Sequence, residues 1–113
     1  MPHEAAKILT DVIAAGSAIA QFIEGRSRED YAANLMLRSA VERQLEIVGE
    51  AVRRLEKRAP SLVQRLSEYR RIIAFRNVII HGYDAIDTDI VWQAVTEKLP
   101  VLLREAQALL REL

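Results

Sequence analysis

The chain has 113 residues, of which 50% are hydrophobic and 28% are charged, and this predicts one globular domain over residues 1–113 with a single core. It has no cysteine, so disulfides and thiolate catalysis are excluded, and no uninterrupted apolar run reaches the roughly 18–20 residues of a membrane span. The 16 basic and 16 acidic side chains balance, which argues against a protein held to nucleic acid by its overall charge.

The opening residues, Met1 to Glu4, lack the basic segment and apolar block of a secretion signal. We therefore expect a cytoplasmic protein without a membrane partner. The charge is uneven along the chain: residues 38–76 carry ten basic and five acidic groups (+5), residues 1–37 are at −2, and residues 77–113 are at −3. The middle segment forms either a local basic face or a solvated face of arginine and glutamate pairs, and charge alone favours the second interpretation.

The first predicted helix runs from about Glu4 to Glu24, and Gly25 is suited to end it because glycine adopts the left-handed conformation easily. Its apolar residues recur at helical spacing. They are Ile8, Leu9, Val12, Ile13, Ile19, Phe22 and Ile23. Small residues from Ala14 to Ala18 make the middle of this helix thin, and another helix should approach closely there.

Ser27 and Asp30 resemble a helix N-cap followed by an acidic first turn. They predict a long helix from about Arg28 to Arg58, whose apolar residues alternate by four and three as in a helix–helix seam. Those residues are Val41, Leu45, Val48, Val52 and Leu55. Pro60 should end this helix, and Ser61 should cap a short one that reaches about Ser67.

A further helix is predicted from about Tyr69 to Ile80, with Gly82 as its stop. Asp87 or Thr88 should cap the last helix, which reaches the C-terminus with Pro100 inside it. Because proline removes a backbone donor and crowds the preceding turn, we expect a kink there. No segment alternates like a strand. The predicted fold is an all-α, up-and-down bundle of four to five helices.

Chemistry centres on one of the two histidines. His3 lies near the N-terminus and is expected to be incidental, whereas His81 lies at the predicted C-terminal end of a helix, where the macrodipole favours a protonated imidazole. Such a histidine can transfer protons near neutral pH, and Arg76 nearby can bind a phosphate and stabilise developing negative charge.

Helical spacing constrains these two side chains. Asn77 and His81 are four residues apart and share a face, whereas Arg76 and His81 are about 140° apart around an ideal helix. Three arrangements would bring Arg76 and His81 together: Arg76 reaches around the helix, the helix unwinds before His81, or a second copy of the chain completes the site. A purely structural alternative pairs Arg76 with Glu46 or Glu50 and leaves His81 to cap the helix.

The segment Arg76-Asn77-Val78-Ile79-Ile80-His81-Gly82-Tyr83 resembles the R-x4-H-x-Y motif of HepT-like proteins in the HEPN superfamily. Two other segments match in the same order. Leu45 to Ala51 (LEIVGEA) is similar to the family's "LEIIGEA" helix, and Asp89-Ile90-Val91-Trp92 with Val95 and Leu99-Pro100 is similar to its final helix. The resemblance covers nearly the whole chain.

This resemblance implies a metal-independent endoribonuclease without a cofactor, in which the RNA 2′-hydroxyl attacks the neighbouring phosphate. His81 would act as general base or acid, Arg76 would bind the scissile phosphate, and Asn77 would orient them. HEPN domains usually form two-fold homodimers with both motifs in one cleft.

The resemblance also implies a toxin of a type VII-like toxin–antitoxin system. Its partner would be a MntA-type nucleotidyltransferase antitoxin that transfers AMP onto the motif tyrosine, here Tyr83. Adenylate phosphates beside Arg76 and His81 would then block RNA. Two other classes stay open: a catalytically silent docking module of a nucleotidyltransferase complex, and a plain helical dimerisation protein.

Several other residues allow a chemical role but favour a structural one. Glu46 and Glu50 are four residues apart and could bind a metal, but partners for arginines are the favoured interpretation because no second histidine or acidic ligand shares their helix face. Phe75 and Trp92 are expected in the core or a dimer seam. Gly49 is expected at a close approach of two helices.

Overall fold

A computed structural model describes residues 2–81 and 86–113. The described residues form helices and loops without a strand, which confirms the predicted all-α class. The helices are α1 (Pro2–Ile23), α2 (Arg28–Ala33), α3 (Leu35–Arg58), α4 (Pro60–Val63), α5 (Tyr69–His81), α6 (Thr88–Gln93) and α7 (Leu99–Glu112). A π-helical turn, Ala94–Lys98, joins α6 to α7, so the bundle consists of α1, α3, α5 and this composite last helix, with α2 and α4 as short additions.

The predicted start of the second helical region is confirmed, but its continuity is not. Gly25 has a positive φ of 73°, and Ser27 and Asp30 form a reciprocal capping box. The single helix predicted from Arg28 to Arg58 is wrong, because Asn34 is extended (φ −117°, ψ 101°) and separates α2 from α3. Its side-chain oxygen accepts a hydrogen bond from the Leu37 amide at 3.0 Å, an interaction by which asparagine competes with helical backbone pairing.

Pro60 and Pro100 both lie at the beginnings of helices. Pro60 ends α3 as predicted, but Ala59 rather than Ser61 occupies the N-cap of α4, which ends at Val63 instead of Ser67. Proline fits the first helical turn because its missing N–H would have no partner there. Pro100 is the second residue of α7 and also lies in the first turn. The interruption expected at Pro100 takes the form of the π turn, in which the Leu99 amide donates to the Ala94 carbonyl.

The core lies between α1, α3 and α7. The close approach predicted at the thin middle of α1 is confirmed: a Cβ on Gly16 would lie 2.6 Å from Leu103 Cδ2 of α7. Over His3–Ile23, α1 is long and apolar enough to cross a membrane by length and composition, as many core helices of soluble proteins are. Leu9 and Val12 are completely buried in the core, which accounts for the apolar character of this helix.

Helix α5, which carries the predicted motif, packs mainly against α3. Ile79 is its only buried residue among those described, while Val78 and Ile80 are 54% and 37% exposed. Tyr69, Ile72, Ile73 and Phe75 are partly buried and pack against the core, so α5 is supported mainly by α3 and its motif end is the more exposed part.

Candidate active site

Arg76 lies where α5 approaches α3 most closely. A Cβ built on Gly49 of α3 would lie 2.2 Å from Arg76 Cβ and 2.7 Å from its Cγ, distances that real side chains do not adopt. Only glycine therefore allows the first part of the Arg76 side chain to lie against the α3 backbone. The predicted role of Gly49 as a close-packing position is confirmed.

The guanidinium of Arg76 has partners on both helices. Its Nη2 lies 2.8 Å from Glu50 Oε2, and its Nη1 donates a hydrogen bond to Asn77 Oδ1 at 2.9 Å. The Arg76 Nε is buried without a hydrogen-bond partner among the described residues. The side chain is 21% exposed, so its stem is enclosed while its tip reaches the surface. The pairing of Arg76 with Glu50, one of the alternatives derived from the sequence, is present.

His81 is the exposed last residue of α5. The helix is regular from Tyr69 to His81, so unwinding before His81 is excluded, and Arg76 and His81 stay about 140° apart around the helix axis. No hydrogen bond or ion pair joins these two side chains within the described ranges. Arg76 and Asn77 are thus brought together, whereas His81 is not joined to them within one chain. Tyr83 lies outside the described residues.

A cleft with a volume of about 390 Å³ runs along α3 toward the end of α5, and we call it the α3 cleft. Its lining consists of Arg43, Glu46, Ile47, Glu50, Arg53, Arg54, Arg76 and Ile80. The four arginines and two glutamates leave the lining positive. Ion pairs partly neutralise it: Arg43 pairs with Glu46 at 3.2 Å, Arg53 Nη1 lies 4.0 Å from Glu50 Oε2, and Arg54 Nη2 lies 3.2 Å from Asp11 Oδ2 on α1.

Both interpretations of the basic middle segment are therefore partly correct. Arginine and glutamate pairs are present, and they line a positive concave surface that contains Arg76. Arg43, Arg53 and Arg54 were not predicted as site residues from the sequence. A signal was available, because Arg43, Ile47, Glu50 and Arg54 follow one another at spacings of four, three and four residues, which places them on one face of α3.

A second, largely apolar groove of about 460 Å³ separates α5 from the composite last helix, and we call it the α5 groove. Apolar residues on its walls include Leu45, Val48, Ile72, Phe75, Ile90 and Leu102. Ile90 is 54% exposed. Arg76 lines this groove as well as the α3 cleft, so its side chain lies at the boundary between a positive and an apolar surface.

The remaining candidates have structural surroundings. Glu46 and Glu50 each face an arginine, as the favoured interpretation predicted, and no group of three or more His, Asp or Glu side chains suited to a metal occurs within residues 2–81 and 86–113. Trp92 packs against Tyr31, with ring centroids 5.5 Å apart, which confirms its assignment to the core. Burial raises the pKa of Tyr31 to about 12, so its hydroxyl stays neutral.

Comparison with known proteins identifies the family. A family model described as "Ribonuclease HepT-like" matches residues 12–109. The chain belongs to the HepT-like family. A protein named "Probable ribonuclease HepT" from Thermococcus cleftensis is 32% identical over 97 residues, which cover 83% of this chain and 84% of that protein. A protein from Methanocaldococcus jannaschii, named as a "Putative RNase", is 28% identical over 99 residues, which cover 88% of this chain and 90% of that protein.

A further "Putative RNase", from Caldanaerobacter subterraneus, is 29% identical over 90 residues, which cover 80% of each chain. No solved structure gave a significant match. Membership in the HepT-like family confirms the resemblance deduced from the motif segment and, with it, the predicted class of RNA-cleaving enzyme. The HepT-like match includes all of α3 and α5 and most of the composite last helix, so both helices that hold Arg76 lie within it.

Proposed function

We propose that this HepT-like protein is a metal-independent endoribonuclease that uses Arg76 and His81. The observation that carries the proposal is the location of Arg76: its stem is fixed against Gly49, and its guanidinium reaches the surface at the end of a positive cleft in a protein of zero net charge. A phosphate that follows the α3 cleft would meet this guanidinium, which still has free N–H donors after pairing with Glu50 and Asn77.

In the proposed reaction the 2′-oxygen attacks the adjacent phosphorus, and the bond from phosphorus to the 5′-oxygen breaks. His81 accepts the proton of the 2′-hydroxyl, and the leaving 5′-oxygen takes a proton from a water molecule, whose hydroxide is then neutralised by the proton held on His81. A cyclic phosphate and a 5′-hydroxyl result. Arg76 stabilises the negative charge that develops on the phosphoryl oxygens. Asn77 accepts a hydrogen bond from Arg76 and holds its second amino group in place.

We further propose a two-fold homodimer in which one protomer's Arg76 and its partner's corresponding motif act on the same RNA. Within one regular helix Arg76 and His81 face different directions, so a second copy would bring the missing group into the cleft. Exposed apolar side chains support this proposal: Val78 and Ile80 on α5 and Ile90 beside the α5 groove lie close to the motif and would be covered by the partner.

In the cell, the proposed role is that of a cytoplasmic toxin held inactive by a MntA-type nucleotidyltransferase antitoxin. Transfer of AMP would join the Tyr83 oxygen to the α-phosphorus of ATP and release pyrophosphate. Tyr83 follows His81 by two residues in sequence, so the new phosphodiester would add negative charge near the guanidinium and imidazole that bind RNA. The modified site would then repel and exclude a substrate phosphate.

One observation favours a second function, that of a catalytically silent module that docks to a nucleotidyltransferase. Arg76 is already paired with Glu50, and no contact joins it to His81 within the described ranges. A docking module would keep the α5 groove and would not depend on these two side chains.

The deciding experiment is expression of the wild type, Arg76→Ala and His81→Ala in bacteria, with growth and total RNA integrity followed over time. His3→Ala is the matched control, since His3 is the only other histidine and lies far along the chain from the motif. We expect growth arrest and RNA fragmentation with the wild type and His3→Ala only, while size-exclusion chromatography gives the same oligomer for all four proteins.

Arrest that survives both motif substitutions would contradict the proposed mechanism. Absence of arrest with every protein, when intact mass shows that Tyr83 is unmodified, would support the docking module instead.

A further inference from the structure

We propose that Glu50 is a positioning residue that orients the Arg76 guanidinium for catalysis at the expense of RNA affinity. This inference rests on the proposed ribonuclease function and adds to it a residue that acts through Arg76. A carboxylate in a cleft for polyanions repels the substrate, so its presence beside the phosphate-binding arginine requires a reason of its own.

The geometry supplies that reason. Gly49 and Glu50 are consecutive on α3 and act on different parts of one side chain: Gly49 accommodates the Arg76 Cβ and Cγ, and Glu50 Oε2 lies 2.8 Å from Nη2. The long arginine side chain has many rotamers in solution, and the two contacts fix both its base and its tip. The same carboxylate oxygen lies 4.0 Å from Arg53 Nη1, so Glu50 lies between two guanidinium groups.

Glu50 leaves Arg76 able to bind a phosphate. An arginine has five N–H donors, of which one is hydrogen-bonded to Asn77, while Nη2 forms an ion pair with Glu50 Oε2. The terminal amino groups, which reach the surface, keep further donors for a phosphoryl oxygen, whereas the Nε–H is buried and has no hydrogen-bond partner among the described residues. The carboxylate therefore sets the direction of the guanidinium without occupying all its donors.

The chain offers a matched control in Glu46. It lies one helical turn before Glu50, lines the same α3 cleft, and pairs with Arg43 at 3.2 Å rather than with Arg76. Glu46→Gln and Glu50→Gln remove the same charge from the same cleft in side chains of nearly identical shape. Only Glu50→Gln weakens the contact with Arg76.

The test uses the purified protein in its native oligomeric state. Binding is measured with a single-stranded 2′-O-methyl RNA, whose blocked nucleophile prevents cleavage, and single-turnover rates are measured with the matching unmodified RNA. We expect both glutamine variants to bind RNA about twofold to fivefold more tightly, since one partly exposed carboxylate is removed from the cleft in each. The cleavage rate at saturating protein should fall at least about tenfold in Glu50→Gln, and by a clearly smaller factor in Glu46→Gln.

Slower cleavage in Glu50→Gln, accompanied by tighter RNA binding, would support the positioning role. Loss of folded protein could not produce this result, because it lowers both RNA binding and the cleavage rate. Equal rates for Glu50→Gln and the wild type, with Arg76→Ala inactive, would overturn the positioning role and leave the ribonuclease proposal intact. Equal loss of rate in Glu46→Gln would also overturn it, since a general charge effect would then suffice. Wild-type cleavage by Arg76→Ala would instead refute the proposed function itself.

Discussion

Replacement of Gly49 by alanine tests the close approach of α5 to α3 directly. The added Cβ would lie 2.2 Å from Arg76 Cβ, whereas ordinary contact begins at 3.4 Å, so the two helices would have to separate locally by about 1.2 Å. Overpacking of this kind costs about 1–3 kcal/mol. We expect a value of about 3 kcal/mol, because the clash involves the Cβ of Arg76, which cannot rotate away as the end of a side chain can. Alanine regains about 1 kcal/mol of helix propensity, which leaves a net destabilisation of about 2 kcal/mol.

Gly16→Ala provides the comparison. Its Cβ would lie 2.6 Å from Leu103 Cδ2, the end of a flexible side chain that can rotate away, so the overpacking cost of about 1 kcal/mol and the propensity gain should nearly cancel. Urea unfolding followed by circular dichroism, at one fixed protein concentration, gives both free energies of unfolding. We expect Gly49→Ala to lose about 2 kcal/mol and Gly16→Ala to stay within about 0.5 kcal/mol of the wild type. The reverse order, or a Gly49→Ala protein with unchanged stability and RNA cleavage, would refute the assigned packing.

Two further predictions concern charge. Arg53→Ala should make the slope of log K for RNA binding against log salt concentration shallower by about 0.7, as expected for the loss of one phosphate contact with a single strand. Arg111→Ala, at an exposed position on α7, should leave this slope unchanged. Equal slopes for the two variants would contradict the proposal that RNA follows the α3 cleft. Burial raises the pKa of Glu42 above its usual 4.5, so the stability linked to its protonated form is complete below about pH 4 and is lost as the pH rises through the folded-state pKa. Glu42→Gln should therefore unfold at a higher urea concentration than the wild type at pH 7 and at the same concentration near pH 3, and a constant difference across this range would contradict the assignment.

The sequence contained most of the information on helix positions. Helical periodicity and the Ser27 capping box located α1 and the beginning of α2, because apolar spacing and cap chemistry are local properties. The break at Asn34 was missed, since asparagine within a helix is common enough that only its actual hydrogen bond to the Leu37 amide distinguishes a cap from an ordinary interior residue.

The candidate site was predictable only in part. The motif segment identified Arg76 and His81, and the family comparison agrees with that resemblance. The contact of Arg76 with Gly49 was not predictable, because it depends on the register in which α3 and α5 pack. Sequence left Glu46 and Glu50 as equivalent partners for Arg76, and the packing of the two helices selects Glu50.

The support of α5 by a single neighbour has a consequence for how the protein opens. Free energies of local opening range from near zero to the global value, and a helix with one buried residue and one principal contact belongs to the lower part of this range. The backbone amides of α5 should exchange with solvent through opening of that helix alone, while α1 and α3 stay closed. A molecule that binds only when α5 is closed stabilises the closed helix relative to the locally opened one. Binding at the motif and the folded state of α5 are therefore thermodynamically linked.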